Sequence, residues 1–318
     1  MADMGPESGE GWERRVLERV ALAAIAEQRA ARRWGILFKS LFLLYLFLLL
    51  FIGVGWVKRA DHHAAGKHTA LVEMRGVIDA TGQASADNVT AGLQAAFKDE
   101  NTQGVILRIN SPGGSPVQAG YINDEIKRLR GLHPNIPFYV VVEDICASGG
   151  YYVAAAADKI FVDKASIIGS IGVVMDGFGF TGAMEKLGIE RRALTAGKNK
   201  TFLDPFSPVV PTQKEYAEKM LEDIHQQFID IVRKGRGQRL KETPDMFSGL
   251  VWVGQESIGL GLADAFGSVD SVARDIVKAE DVVDFTVREN IAERVARKFG
   301  ATLAETFVRY TGQGAQLR

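Results

Sequence analysis

The chain has 318 residues, room for one large or two ordinary domains. With 47% hydrophobic and 24% charged residues it is neither disordered nor collagen-like. The net charge of −1 gives no global pull toward nucleic acid, and a single cysteine, Cys146, excludes an intrachain disulfide or a cysteine metal cluster.

The first 33 residues read as a polar segment with a helical stretch from Trp12 to Arg33. Ser40 to Val57 then runs 18 residues without a charge, and reaching back to Trp34 makes 24 residues interrupted only by Lys39. A helix of that length spans about 36 Å, enough for a hydrocarbon core of about 30 Å. Trp34 and Trp56 stand at its ends, where amphipathic rings favour the interface. The run is too long and starts too late for a cleaved leader, so a retained transmembrane helix over 34–57 is expected. Near flanks carry four basic residues each, Arg29, Arg32, Arg33 and Lys39 against Lys58, Arg59, Lys67 and Arg75. Arg14, Arg15 and Arg19 tip the balance toward a cytoplasmic N-terminus. A polar linker with three histidines, residues 58–68, follows.

A globular domain is expected over 69–290, with a C-terminal helical tail over 291–318. Its apolar runs 69–79, 104–111, 137–145 and 159–163 read as strands. Helical stretches at 88–100, 117–132 and 149–157 lie between them. Near-continuous apolar strands alternating with helices predict a parallel sheet in an α/β fold. Thr212–Arg233 is a long amphipathic helix, and shorter helices are expected near 254–262 and 268–279.

Three glycine-rich points punctuate this pattern. Ser111-Pro112-Gly113-Gly114-Ser115 follows a strand, and paired glycines let backbone N–H groups approach a ligand. The same residues also suit a plain tight turn. Cys146-Ala147-Ser148-Gly149-Gly150-Tyr151-Tyr152 joins a strand to a helix, placing Ser148 at a helix N-terminus. There it is either a nucleophile or simply an N-cap. Cys146 reads as a small buried hydrophobe. The third point is Ile168-Gly169-Ser170-Ile171-Gly172-Val173. A nucleophilic serine needs a base. None of the five histidines, at 62, 63, 68, 133 and 225, stands in a glycine-rich or strand-end setting. Lys198 and Lys200 lie in an apolar loop with Phe202, Leu203 and Phe206. Lysine is an established alternative base, although it must lose roughly 3 pKa units to act near neutrality.

The ordered set SPGG, ASGGYY, GSIGV and GKNK resembles the signal peptide peptidase A (SppA) family of serine–lysine membrane proteases, in the ClpP/crotonase superfamily. The resemblance covers about residues 69–280 and includes Val251-Trp252-Val253-Gly254-Gln255 and Gly261-Leu262-Ala263-Asp264. It implies a ClpP/crotonase-like parallel sheet with flanking helices behind one N-terminal transmembrane helix. It implies Ser148 as nucleophile and Lys200, 52 residues later, as general base. Ser170 would orient the lysine, Gly113, Gly114 and Gly149 would form the oxyanion hole, and Lys198 would be a bystander. It implies a serine endopeptidase without cofactor or metal, acting on remnant signal peptides and other small or unfolded hydrophobic polypeptides. The enzyme would be a ring-shaped homo-oligomer with sites shared between protomers, in the inner membrane, with its catalytic domain periplasmic. The rival readings are a crotonase-like acyl-CoA enzyme and an inactive membrane scaffold.

Overall fold

Alternation of buried strands and amphipathic helices builds the body of the molecule. The computed structural model describes residues 10–53 and 66–288, in two separate units: an N-terminal helix and an α/β body. The helix α1 runs unbroken over Glu10–Gly53, where a polar helix and a separate apolar one were expected. Neither Pro nor paired Gly stands at the junction near Trp34, so nothing stops the backbone ladder. Among the described residues no helix is long and apolar enough to cross a membrane. Arg32, Arg33 and Lys39 punctuate the helix before Leu41–Leu49, and residues 54–57 of the expected span lie outside the described residues. So do most of the linker, 58–65, and the tail, 291–318.

The body opens β1 (His68–Arg75), α2 (Ala86–Lys98), β2 (Thr102–Ser111), α3 (Pro116–Leu132), β3 (Phe138–Ala147), α4 (Gly149–Ala154) and β4 (Lys159–Val162). It continues through β5 (Ile167–Gly169), α5 (Thr181–Lys186), α6 (Pro211–Arg236), β6 (Val251–Val253), α7 (Gly254–Gly259) and β7 (Ala265–Phe266). The last described elements are α8 (Val269–Ser271), a π-helical turn (Val272–Val277) and β8 (Val282–Asp284). The sheet order is β6-β5-β3-β2-β1-β8, with β4 beside β3 and β7 beside β4. All pairings are parallel except β5 with β6. The α/β parallel sheet is therefore present, with one antiparallel edge that the sequence reading did not foresee.

Alternate residues of β1–β3 face α2–α4. Val72, Met74, Leu107, Ile109 and Val140 pack there with Leu93, Phe97, Ile122 and Ile126. Full burial of such side chains stabilises by about 2 kcal/mol each. The other face begins apolar, with Leu71, Ile106, Val141 and Phe161 under the π-helical turn.

Two local features prepare a site. First, β3 changes partner along its length. Tyr139–Val141 pair with β4, whereas Ile145–Ala147 pair with β5. Secondly, Ser115 caps α3 by accepting from the Gln118 amide at 3.4 Å, and Pro116 fills the first helical turn. The loop 112–114 is thereby held at the end of β2, and the Ile78 amide donates to the Gly113 carbonyl at 2.8 Å.

Candidate active site

Ser148 stands where β3 ends and α4 begins. Its backbone has φ 52° and ψ −123°, an unusual region for a residue with a side chain. Such strain persists only where the surroundings impose it. Here the Ser148 amide donates to the Gly169 carbonyl at 2.8 Å, and the Tyr152 amide donates to the Ser148 carbonyl at 3.0 Å. The hydroxyl does not cap α4. Half-buried and without a protein partner among the described residues, it is chemically available rather than spent on structure.

The two other glycine-rich points close around it. Gly113 has φ 101°, and a Cβ there would lie 2.7 Å from the Ser148 Cβ and 2.8 Å from the Gly149 nitrogen. Only glycine fits both the conformation and the approach. Its amide is committed to the Ser111 hydroxyl at 3.1 Å. The amides of Gly114 and Gly149, by contrast, donate to no group among the described residues. Ser170, with φ 51°, follows β5, and its amide donates to the Leu250 carbonyl at 2.7 Å. Trp252 of β6 packs against Gly169 so closely that a Cβ there would lie 2.6 Å from the indole.

Ser148, Gly114, Gly149 and Ser170 line one cavity of about 420 Å³. Tyr152, Ile224, Gln227 and Phe228 complete much of its wall, and no charged side chain or histidine lines it. The sequence reading missed the three residues from α6, whose amphipathic pattern looks the same whether the apolar face meets a core or a cavity. His225, on the same helix, donates from Nε2 to the Ile171 carbonyl at 3.2 Å. Cys146 is fully buried at the end of β3, and burial pushes its thiol well above the ordinary value.

Lys200 does not join this group within the chain. It lies exposed in the long excursion 173–210, as does Lys198, and neither lines the cavity. The excursion also exposes Val174, Phe178, Leu187 and Leu194, the last completely.

The mostly parallel sheet, with glycine turns at its strand ends and a strained serine between them, defines an α/β domain with a candidate site at the strand ends. Residues 131–283 match the model of Peptidase family S49, and this stretch of the chain is similar to that family's protease domain. A Haemophilus influenzae relative named Protease 4 is 28% identical over 265 residues, covering 81% of this chain and 42% of its own. An Enterococcus faecium relative, provisionally named signal peptide peptidase SppA, is 28% identical over 237 residues, 72% of this chain and 68% of its own. The Na(+)/H(+) antiporter NhaA of Brucella melitensis is 46% identical over 186 residues. That stretch is 58% of this chain, which spans only a quarter of the antiporter's length.

Proposed function

We propose that the protein is a membrane-anchored serine endopeptidase in which Ser148 is the nucleophile and Lys200 of a neighbouring copy is the base. The observation that carries the nucleophile is the strained, unpartnered Ser148 hydroxyl beside two undonated amides, those of Gly114 and Gly149. A neutral lysine takes the Ser148 proton as Oγ bonds to a peptide carbonyl carbon. The two amides hold the resulting oxyanion. The protonated lysine gives its proton to the leaving amine as the C–N bond breaks, leaving an acyl-enzyme. Water, deprotonated by the same lysine, then hydrolyses the ester and returns Ser148. Ser170, on the cavity wall, is the hydroxyl that orients the lysine.

The exposed, apolar excursion 173–210 supports a shared site. Such a surface is costly in water and suits contact with a second copy. A head-to-tail interface whose rotation divides a full turn closes into a ring, and that closure is part of this proposal. The uncharged cavity suits apolar peptide segments, which fits remnant signal peptides and unfolded hydrophobic chains. The uncharged run Ser40–Val57 supports an anchor in the inner membrane, with the N-terminus cytoplasmic and the protease domain periplasmic.

Two experiments test this reading. A fluorophosphonate probe should label Ser148, and Ser148→Ala should abolish both labelling and casein hydrolysis. Absence of labelling in the folded protein would remove the nucleophile. Equal mixtures of inactive Ser148→Ala and Lys200→Ala chains, reassembled together, should regain about a quarter of wild-type activity, one-half times one-half per ring site. Mixed assemblies that stay inactive would place both residues in one chain.

A further inference from the structure

We infer that Gln213 and Asp204 are positioning residues that fix the turn carrying Lys200, so that each chain presents a finished base to a serine on its neighbour. This rests on the Ser148–Lys200 reading above.

The lysine sits in a run of tight turns. The Lys200 amide donates to the Gly197 carbonyl at 3.1 Å, Phe202 to Asn199 at 3.2 Å, and Asp204 to Thr201 at 3.3 Å. Leu203 closes the run with φ 49°, a left-handed conformation that costs a residue with a side chain roughly 1–2 kcal/mol. Two side chains sustain it. Gln213, in the first turn of α6, accepts the Leu203 amide on Oε1 at 3.1 Å. Asp204 accepts the Phe206 amide at 3.3 Å, the Ser207 hydroxyl at 2.9 Å and Arg191 Nε at 3.1 Å. The Phe202 ring meets Tyr216 of α6 edge-on at 5.9 Å.

The contrast within the excursion points to purpose. Phe178 is 80% exposed and Leu194 completely so, yet the Asp204 side chain is only 9% exposed. Polar order is concentrated where the lysine is carried. Moreover, α6 fixes the lysine turn at its start and walls the cavity with Ile224, Gln227 and Phe228 further along. One helix thus fixes the lysine turn offered to a neighbour at one end and walls its own chain's cavity further along, and small misplacements of a base are costly in rate.

The test uses the full chain and a short fluorogenic peptide with an apolar residue at the cleaved bond. Gln213→Leu removes the acceptor at similar bulk and should lower kcat about tenfold with KM and assembly unchanged. Gln213→Glu keeps an acceptor oxygen and should restore kcat to near wild type. Asp204→Asn should act in the same direction and decides the matter should Gln213→Leu fail to fold. In mixed assemblies, Gln213→Leu should hurt only when carried by the Ser148→Ala chain, which donates the lysine. Equal loss on either chain would make Gln213 merely structural and overturn the inference, as would unchanged kcat in both Gln213→Leu and Asp204→Asn. Should the unmodified mixture be inactive, the shared site fails by itself, and the kcat and rescue values of the uniform Gln213→Leu and Gln213→Glu proteins decide for or against Gln213. An active Lys200→Ala protein would remove the base and this inference with it.

Discussion

The serine turn and the lysine excursion are built by opposite means. Around Ser148, order comes from close backbone approach: glycine on glycine, strand end on strand end, with Trp252 packed behind. Around Lys200, order comes from a few side-chain hydrogen bonds in a segment whose apolar groups face outward. The first region carries its own core and has no room for an added atom at Gly113, Gly114 or Gly169. The second is shaped locally and left uncovered, as a surface awaiting contact would be. The comparison teaches that one chain can hold one segment by backbone packing and another by a few side-chain hydrogen bonds.

The sharpest way to break the comparison is to add one methyl group to each region. Gly113→Ala should cost about 100-fold or more in kcat, because its Cβ would displace Ser148 and the Gly149 amide proposed to hold the oxyanion. Gly177→Ala, where a Cβ meets nothing within 4 Å, should change folding stability by less than about 0.5 kcal/mol. Peptide hydrolysis and thermal melting measure both, and a tolerated Gly113→Ala would show that the serine turn is not closely packed.

The next effect concerns the ion pairs. Arg236 has a side chain wholly inaccessible to solvent and donates to Asp264 at 2.9 Å and to the Gly261 carbonyl at 2.8 Å. Asp264→Ala should cost about 3 kcal/mol, since it strands a buried charge. Burial pushes the Asp264 carboxyl upward, but hydrogen bonding and charge from Arg236, with the Ile160 amide and Arg239, outweigh it and hold it below the usual value. A depressed carboxylate stabilises the fold above its unfolded pKa of about 3.9, and that contribution is lost as pH falls through the folded value. Asp264→Ala removes this group, so the variant's stability, measured by denaturant unfolding at a series of pH values, should fall less steeply below about pH 4 than that of the wild type. On the excursion, Arg191 is 43% exposed, and Arg191→Ala should shift stability by less than about 1 kcal/mol.

Leu194→Ser with Phe178→Ser should leave the melting of the isolated body within about 0.5 kcal/mol of wild type, since both side chains are already in water. The same pair should weaken self-association in sedimentation. Unchanged association would leave the exposed excursion without its assigned occupant. The smallest effect is expected at Cys146, whose buried, raised thiol should not react with a thiol reagent until the body unfolds.

Much of the body is legible because parallel strands are buried on both faces. Runs such as Val105–Ile109 and Phe138–Val142 need no periodicity to be read. The serine turn is legible because Ser148-Gly149-Gly150 follows such a run. The antiparallel β5–β6 pair is not, since three residues on each strand are too few to show alternation. Nor is the continuity of α1, because a change from polar to apolar composition carries no stop signal. The cavity wall from α6 and the support of Leu203 by Gln213 are tertiary facts. An amphipathic repeat announces a face without saying what it meets, and a glutamine at a helix start carries no mark of its acceptor role.

The divided pairing of β3 also has a history in time. The turn at Ser148 is held by Gly169, and the turn after Gly169 is held in place by Leu250. A chain emerging from the ribosome at about 5–20 residues per second therefore carries the serine for some seconds before its last support exists. Throughout that interval the Gly113 loop already has its Ile78 partner, but the Ser148 turn lacks the Gly169 carbonyl that accepts its amide until β5 has followed, and β5 in turn lacks Leu250. The order of synthesis thus serves as a timer: the serine turn is completed only when most of the domain has followed it out.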